Sequence, residues 1–362
     1  MPMKLRRILL AIASVTLAVV LVILIIRIGN IDLHSTWHEI EGANRTALIK
    51  LVLLNVLLIY LSTVKWRSVD AALRRTSDPV PSRIAAFGFT SAGMALGLVL
   101  PVQLGMTAAR TFGTYFYGSP LKRGTAGTLL EQSFDLLNVL FLAVASAATW
   151  FFGGGGMMWV ISAAGMIALA WLAVAPLMRV ARWLASCLAN ALARRNRPGG
   201  NLQSFFDLLH SGVLSESLTR RLVILSAARF VVVVLMAGQT AAAVGAPIPL
   251  WHLAAATPFV YVASVIAITP GGIGVNELTF ASVLKIFGTP FAVGAQWALA
   301  NRVLGVAACF LVALFAVTLM SIKRLAAVSG ARKDPPNGGT LIKIPDAVSE
   351  AQNEDSGGAD SR

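Results

Sequence analysis

Long apolar stretches separated by short basic segments make up most of this sequence. A helix needs about 20 apolar residues to cross the hydrocarbon core of a bilayer, and six stretches are long enough. They cover residues 8–26, 47–64, 125–152, 157–177, 222–244 and 290–320. The first follows basic residues, as a signal peptide would, but it has no small-residue cleavage site, so we interpret it as an uncleaved anchor. The pattern predicts an all-α polytopic membrane protein with about six full spans.

Two further apolar stretches, residues 84–118 and 253–288, are broken by proline and glycine. If the first crossed the membrane once, Lys122 and Arg123 would lie outside and every later loop would change side. We therefore predict that each stretch is a re-entrant helical hairpin, the first open to the cytoplasm and the second open to the outside. The predicted hairpin tips contain Pro101, Gly105, Pro270, Gly271, Gly272 and Gly274.

With these hairpins in place, the basic residues fall almost entirely on one side of the membrane. The outer loops, about 29–46, 153–156 and 245–252, contain one basic residue, Arg45. Because basic loops stay in the cytoplasm, we predict a bacterial inner-membrane protein with both termini cytoplasmic. The basic residues expected inside are Lys4, Arg6, Arg7, Lys65, Arg67, Arg74, Arg75, Arg83, Lys122, Arg123, Arg179, Arg182, Arg194, Arg195, Arg197, Arg220, Arg221, Lys323 and Arg324.

Composition supports the membrane interpretation and changes the meaning of the net charge. The chain is 57% hydrophobic and only 13% charged, whereas soluble domains carry about 25% charged residues. This excludes an ordinary water-soluble enzyme. We interpret the formal net charge of +14 as a record of topology, with anionic inner-leaflet lipids as partners of the basic loops, and we expect no nucleic-acid partner.

The predicted spans and hairpins repeat with opposite orientation. Residues 1–152 read as two spans, a hairpin and a span, and residues 157–328 repeat this order inverted. Inverted repeats with broken helices are typical of transporters that alternate access. Within the second half, residues 180–221 form a cytoplasmic amphipathic segment that is a span extension, a surface helix or an ordinary connecting helix. Residues 329–362 are polar and are expected to be a disordered cytoplasmic tail.

Six ionisable residues fall within the predicted membrane region, where a charge costs on the order of +2.5–3.5 kcal/mol. They are Arg110, Glu131, Asp135, Arg229, Glu277 and Arg302. Each half carries one hairpin charge and one opposite charge on the next span, with the signs exchanged. All six are candidates for a polar substrate path, and Arg229 is the weakest of them because snorkelling also explains it. The structural alternative is that these groups only pair and lock helices together.

The sequence contains no recognisable pattern for a metal site, a nucleotide-binding site or a catalytic site. Cys187 and Cys309 are far apart, the four histidines are dispersed, and no nucleotide-binding loop or nucleophile arrangement is present. We therefore expect no metal, no cofactor, no ATP site and no enzyme activity.

Several of these residues resemble a known family. Pro101-Val102-Gln103-Leu104-Gly105, Arg110, Glu131 and Asp135, followed by the stretch from Thr269 to Glu277, are similar to the flippase-like transmembrane domain of lysylphosphatidylglycerol synthases. The same domain occurs as a stand-alone membrane protein, with members associated with glycolipid and hopanoid pathways. The resemblance covers nearly the whole chain to about residue 325. It implies lipid translocation, with Arg110, Glu131, Glu277, Arg302 and the hairpin prolines and glycines as functional positions.

Two positions depart from the family pattern. Met106 stands where the family often has an acidic residue, and Gln132 where it often has arginine. Because both changes alter the local charge, the substrate is expected to differ from the aminoacylated lipid. The aminoacyl-transferring domain of the bifunctional relatives is not found in the sequence, so we do not expect this chain to synthesise lysyl-lipid.

The leading hypothesis is a lipid flippase or transporter that moves an anionic, aminoacylated, glyco- or hopanoid lipid between leaflets without hydrolysing ATP. The first alternative is a non-transporting scaffold or accessory subunit of a lipid- or glycan-modifying enzyme. A further alternative is an integral-membrane transferase that uses Glu131 and Asp135 as a carboxylate pair. The candidate protein partners are a second copy of the chain and a lipid-biosynthesis enzyme.

Overall fold

A computed structural model describes residues 16, 19–29, 33–74, 80–98, 100, 102–194, 215–267 and 269–331. All regular secondary structure within these ranges is helical, which confirms the all-α prediction. The helices are α1 (Val19–Gly29), α2 (Leu33–Glu41), α3 (Arg45–Leu73), α4 (Arg83–Leu96), α5 (Val102–Tyr115), α6 (Leu121–Phe151), α7 (Gly156–Arg194), α8 (Glu216–Ala243), α9 (Leu250–Ile266), a 3₁₀ turn (Pro270–Gly272), α10 (Val275–Ile286) and α11 (Phe291–Ala331).

Five of the described helices are long and apolar enough to cross a membrane. The qualifying segments are Arg45–Leu73, Arg123–Phe151, Gly156–Val174, Glu216–Ala243 and Phe291–Lys323. They correspond to five of the six predicted spans, and the protein is a multi-pass membrane protein. The sixth, residues 8–26, lies partly outside the described residues. Its described part belongs to α1, which is shorter than a span, so the count of six spans stays a prediction.

Local signals in the sequence explain where several helices begin. The Asn44 side chain accepts hydrogen bonds from the backbone N–H groups of Thr46 and Ala47, at 2.9 and 3.3 Å, and so caps α3. Ser82 and Ser215 cap α4 and α8 in the same way. These side chains satisfy N–H groups that the first helical turn leaves unpaired.

The two broken stretches form pairs of short, adjacent helices. α4 packs against α5, and α9 packs against α10. α4 and α5 contain 14 residues each, so each is about 21 Å long, less than the roughly 30 Å hydrocarbon core. Gly105 permits close packing, because a Cβ there would lie 2.4 Å from the backbone nitrogen of Gly97. Pro101, predicted at the first tip, lies outside the described residues.

The second break depends on glycines with positive φ. Gly271, Gly272 and Gly274 have φ values of 57°, 69° and 82°, a region that other residues adopt only with strain. A Cβ on Gly271 would lie 2.3 Å from the Leu98 carbonyl oxygen. The break after α9 therefore contacts the break after α4 directly.

The remaining predictions about organisation concern the cytoplasmic segment, the C-terminal tail and the division into inverted halves. Residues 180–194 continue α7 without interruption, and residues 195–214 lie outside the described residues, so the choice among a span extension, a surface helix and a connecting helix stays open. The structure divides into one unit of residues 1–320 and a second of residues 321–362. Only Ser321–Ala331, the last turns of α11, are described in the second unit. The predicted tail from residue 332 onward lies outside the described residues. The division into inverted halves stays a prediction.

Candidate functional site

Arg110 on α5 lies at the centre of a buried charge cluster. Its side chain is fully buried, and its Nη1 donates to the Glu131 carboxylate on α6. Its Nη2 donates to the Ser62 carbonyl oxygen at 3.2 Å, and its Nε lies 3.4 Å from the Thr90 hydroxyl. The guanidinium also lies 5.3 Å from the centre of the Trp66 ring. Each of its three nitrogens therefore has a partner.

Lys65 joins the same cluster, which corrects its predicted position in a cytoplasmic loop. Its side chain is fully buried, and its Nζ donates to Asp135 at 2.5 Å and to the Glu131 carbonyl oxygen at 2.8 Å. The prediction ended the span at Val64, but α3 continues to Leu73. The helical spacing of polar Ser62 and Lys65 after apolar Leu58, all on one buried face, is the sequence signal that would have placed Lys65 inside.

Arg229 on α8 completes what we call the first cluster: Lys65, Arg110, Glu131, Asp135 and Arg229. Its Nη1 donates to the Asp135 carboxylate and lies 3.6 Å from Glu131. The interpretation of Arg229 as a snorkelling residue is therefore wrong, because it pairs inside the protein. Counted at formal charge, the first cluster has three cations and two carboxylates. It joins α3, α5, α6 and α8.

The second pair is formed by Glu277 on α10 and Arg302 on α11. Arg302 Nε donates to Glu277 Oε1 at 2.6 Å. The other carboxylate oxygen accepts from the backbone N–H of Gly274 at 2.6 Å, so Glu277 also caps its own helix, where the helix dipole favours a negative charge. Buried Arg302 Nη2 and Asn276 Oδ1 have no hydrogen-bond partner within the described part of the chain. The second pair and the adjacent Asn276 therefore have one hydrogen-bond donor and one acceptor that no described residue satisfies.

The structure thus brings together each hairpin charge and the opposite charge on the following long helix. Arg110 pairs with Glu131, and Glu277 pairs with Arg302. With Lys65 included, the predicted balance of three positive and three negative groups is wrong. Within the first cluster and the second pair together, four cations face three carboxylates, which leaves these seven groups with a formal charge of +1.

Two cavities lie beside these charged groups. The first cavity, of about 230 Å³, is lined by Glu131, Asp135, Arg229, Gln103 and Gln132, among others. The second, of about 280 Å³, is lined by Glu277, Arg302, Asn276 and Asn301 together with apolar side chains. Of the predicted path residues, only Arg110 lines neither cavity, since it lies behind Glu131.

Leu98 and Tyr261 line both cavities and so separate them. Leu98 follows α4, and its carbonyl oxygen lies against Gly271 of the second break. The predicted tip residues Gly105, Pro270, Gly271, Gly272 and Gly274 line neither cavity. Of these, Gly105 and Gly271 allow the close backbone contacts already described. The boundary between the cavities therefore combines a residue of the first break, Leu98, with a residue of α9, Tyr261.

Groups suited to holding a metal ion are not found among the described residues, where no cluster of three or more His, Cys, Asp or Glu side chains occurs. The chemistry that this part of the chain offers is therefore charge and hydrogen bonding. Paired arginines and carboxylates beside small, mostly apolar cavities can hold a charged headgroup inside a membrane, where water screens charges little.

Helices that span a membrane and enclose paired charges at two adjoining cavities define a multi-pass membrane protein with a polar interior. The model of the lysylphosphatidylglycerol synthase transmembrane region matches residues 9–323, and the chain belongs to that family. This confirms the resemblance seen in the motifs. No curated protein and no solved structure matches the chain.

Proposed function

We propose that this protein moves the polar headgroup of an anionic membrane lipid between leaflets, while the acyl chains stay in the bilayer and no ATP is hydrolysed. The observation that carries the proposal is the pair of adjoining cavities, each with its own charged groups, separated by Leu98 and Tyr261. A headgroup would exchange between the two cavities when this boundary opens.

The charge of the interior supports an anionic headgroup. The four cations and three carboxylates leave one formal positive charge, and an anion would neutralise it. Arg302 adds a specific donor, because its Nη2 has no partner among the described residues and arginine binds phosphate well through its planar fork. We propose that the phosphate of the lipid binds Arg302 in the second cavity.

The departures from the family pattern support a substrate other than an aminoacylated lipid. Met106 and Gln132, the two positions noted in the sequence, both line the first cavity. A cavity that lacks the acidic and basic groups common at these positions has a different preference for headgroup charge. We propose a phospholipid, glycolipid or hopanoid lipid with one negative charge.

The proposal includes the membrane topology. α4–α5 and α9–α10 act as re-entrant hairpins whose tips meet inside the bilayer, and both termini face the cytoplasm of a bacterial inner membrane. Short adjacent helices and irregular backbone surrounded by protein support this arrangement, since such backbone is tolerated at membrane depth only away from lipid. Among the described basic residues used for the orientation, only Lys65 belongs to the first cluster, so the others still favour this topology.

The function is tested with purified full-length protein in lipid vesicles. The measurement is the rate at which an anionic phospholipid with a labelled headgroup moves between leaflets. Gly271→Ala would insert a Cβ 2.3 Å from the Leu98 carbonyl oxygen, at φ 57°. Gly245→Ala is the matched control, because Gly245 has φ 67° and nothing within 4 Å of the added Cβ. The backbone strain of about 1–2 kcal/mol is similar at the two positions.

We expect the wild-type protein and the Gly245→Ala variant to accelerate lipid movement, and Gly271→Ala to lose most of the acceleration because the contact between the breaks is disturbed. Equal rates in the two variants would contradict the role of this contact. A wild-type protein that accelerates no anionic, aminoacylated, glyco- or hopanoid lipid, with or without a proton gradient, would overturn the proposed function.

A further inference from the structure

A third cavity, of about 600 Å³, opens among α3, α4, α8 and α11. It shares no lining residue with the first and second cavities. Three arginines line it: Arg67 near the end of α3, Arg83 at the start of α4 and Arg221 near the start of α8. Its location follows from three helix ends that meet on the side predicted to be cytoplasmic.

The three arginines are not neutralised by the protein in the described part of the chain. No Asp or Glu lines this cavity, and none of Arg67, Arg83 and Arg221 forms an ion pair with another described residue. Arg67 is half-buried, whereas Arg83 and Arg221 are exposed. The cavity therefore carries three positive charges without a described counter-ion.

Neighbouring arginines show that this lack of a carboxylate is local. Arg74 and Arg123 both pair with Asp70, and Arg220 lies 3.7 Å from the Glu216 carboxylate. Arg220 is adjacent to Arg221 in sequence but is also placed over the Trp171 ring. The fold thus supplies carboxylate partners to these three neighbouring arginines and none, among the described residues, to the three that line the cavity.

Apart from Thr63 and Ser68, the other side chains that line the cavity are mainly apolar. Tyr60, Val64, Ile84 and Phe87 lie beside the arginines, and Tyr60 is 56% exposed. Tyr60 follows the exposed Leu53 and Leu57 along α3, a surface suited to acyl chains. An arginine cluster next to such a wall is complementary to a molecule with an anionic head and an apolar tail.

We propose that this third cavity binds one anionic phospholipid of the cytoplasmic leaflet, with its phosphate on Arg67, Arg83 and Arg221 and an acyl chain along Tyr60 and Phe87. The guanidinium forks supply charge-assisted hydrogen bonds to the phosphate oxygens. This site is separate from the exchange of headgroups between the first two cavities. It binds its lipid whether or not the protein moves lipids between leaflets.

The test is lipid binding by the purified full-length protein, measured by native mass spectrometry with phosphatidylglycerol and phosphatidylcholine added in turn. The test variant combines Arg67→Gln with Arg221→Gln. The matched control combines Arg27→Gln with Arg45→Gln, which removes the same charge from exposed arginines outside the cavity. Arg221→Gln alone is the second variant, since an exposed side chain near a helix start is not needed for folding. Millimolar inorganic phosphate is added as a competitor.

We expect tighter binding of phosphatidylglycerol than of phosphatidylcholine. Each arginine removed should weaken phosphatidylglycerol binding about tenfold, because the loss of one hydrogen bond to a charged group reduces affinity by roughly that factor. The control variant should bind like the wild type. Equal affinity for the two lipids, or unchanged phosphatidylglycerol binding in both cavity variants, would overturn the proposal. Displacement of the lipid by inorganic phosphate would show a site for the free ion and would overturn it as well.

Discussion

The two groups of buried charges differ in how completely the protein satisfies them. In the first cluster, Arg110 is fully buried and all of its nitrogens have partners, while Asp135 is held by both Lys65 and Arg229. In the second pair, a single hydrogen bond joins Arg302 to Glu277, and the Arg302 side chain is 22% exposed. Arg229 Nε of the first cluster also lacks a hydrogen-bond partner among the described residues, but Arg229 lies against two carboxylates. A densely paired network holds helices in place, whereas an arginine held by a single carboxylate beside a cavity is available to a ligand.

This difference separates the two interpretations of the buried charges. Pairing that locks helices fits the first cluster, which joins four helices through five charged side chains. A substrate path fits the second pair. The Arg302 Nη2 donor and the adjacent Asn276 Oδ1 acceptor have no partner among the described residues, and both residues line the second cavity. Glu131, Asp135 and Arg229 belong to both descriptions, because they are paired and also line the first cavity.

The largest effect is expected from Arg110→Leu, which removes the central cation of the first cluster. Glu131 would remain buried without its closest partner, and breaking a buried pair in this way costs about 3–5 kcal/mol. Unfolding in detergent micelles measures the change. Adding Glu131→Gln to Arg110→Leu should recover part of the loss, because the unpaired charge is then removed. A single variant as stable as the wild type would contradict the structural role of the cluster.

A smaller loss of stability is expected from Lys65→Met. Asp135 keeps Arg229 as a partner, so the expected cost is that of hydrogen bonds to a charged group, about 1.5–3 kcal/mol. The same unfolding measurement applies, with Lys50→Met as the control because Lys50 is exposed on α3. If both substitutions had the same effect, Lys65 would not belong to a buried cluster.

The smallest effect on stability, about 1 kcal/mol, is expected from Arg302→Gln, because the pair is partly exposed and Glu277 keeps the Gly274 N–H. Lipid movement in vesicles should nevertheless fall about tenfold, since a phosphate would lose a charge-assisted donor. Gln296→Ala is the control on the same helix and lines neither cavity. Arg302→Gln with full transport would remove Arg302 from the proposed path.

Much of the helix pattern could be predicted from sequence, because long apolar stretches are a strong signal of membrane helices. The breaks near Pro101 and at Pro270–Gly274 and the pairing of Glu277 with Arg302 also followed from local spacing, since the partners lie on successive helices. Lys65 was misplaced because a basic residue directly after an apolar stretch usually marks a loop. Its partners, Glu131 and Asp135, are about seventy residues away.

The cavities could not be predicted in this way. Their shared boundary combines Leu98 from the first hairpin with Tyr261 from the second, and neither residue carries a local signal. The third cavity likewise depends on three helix ends that meet only in the fold. Arg67, Arg83 and Arg221 look like ordinary loop charges in sequence, and only the packing shows that no described carboxylate lines their cavity.

The most direct test of an anionic headgroup path is the charge preference of lipid movement. Vesicles containing the wild-type protein are prepared with headgroup-labelled phosphatidylglycerol or phosphatidylcholine, and the rate of exchange between leaflets is measured for each lipid. The first cluster and the second pair together carry a formal positive charge, and Arg302 Nη2 has no partner among the described residues. We therefore predict that the protein accelerates phosphatidylglycerol about tenfold more than phosphatidylcholine. Equal acceleration of the two lipids, or none, would contradict the proposed path.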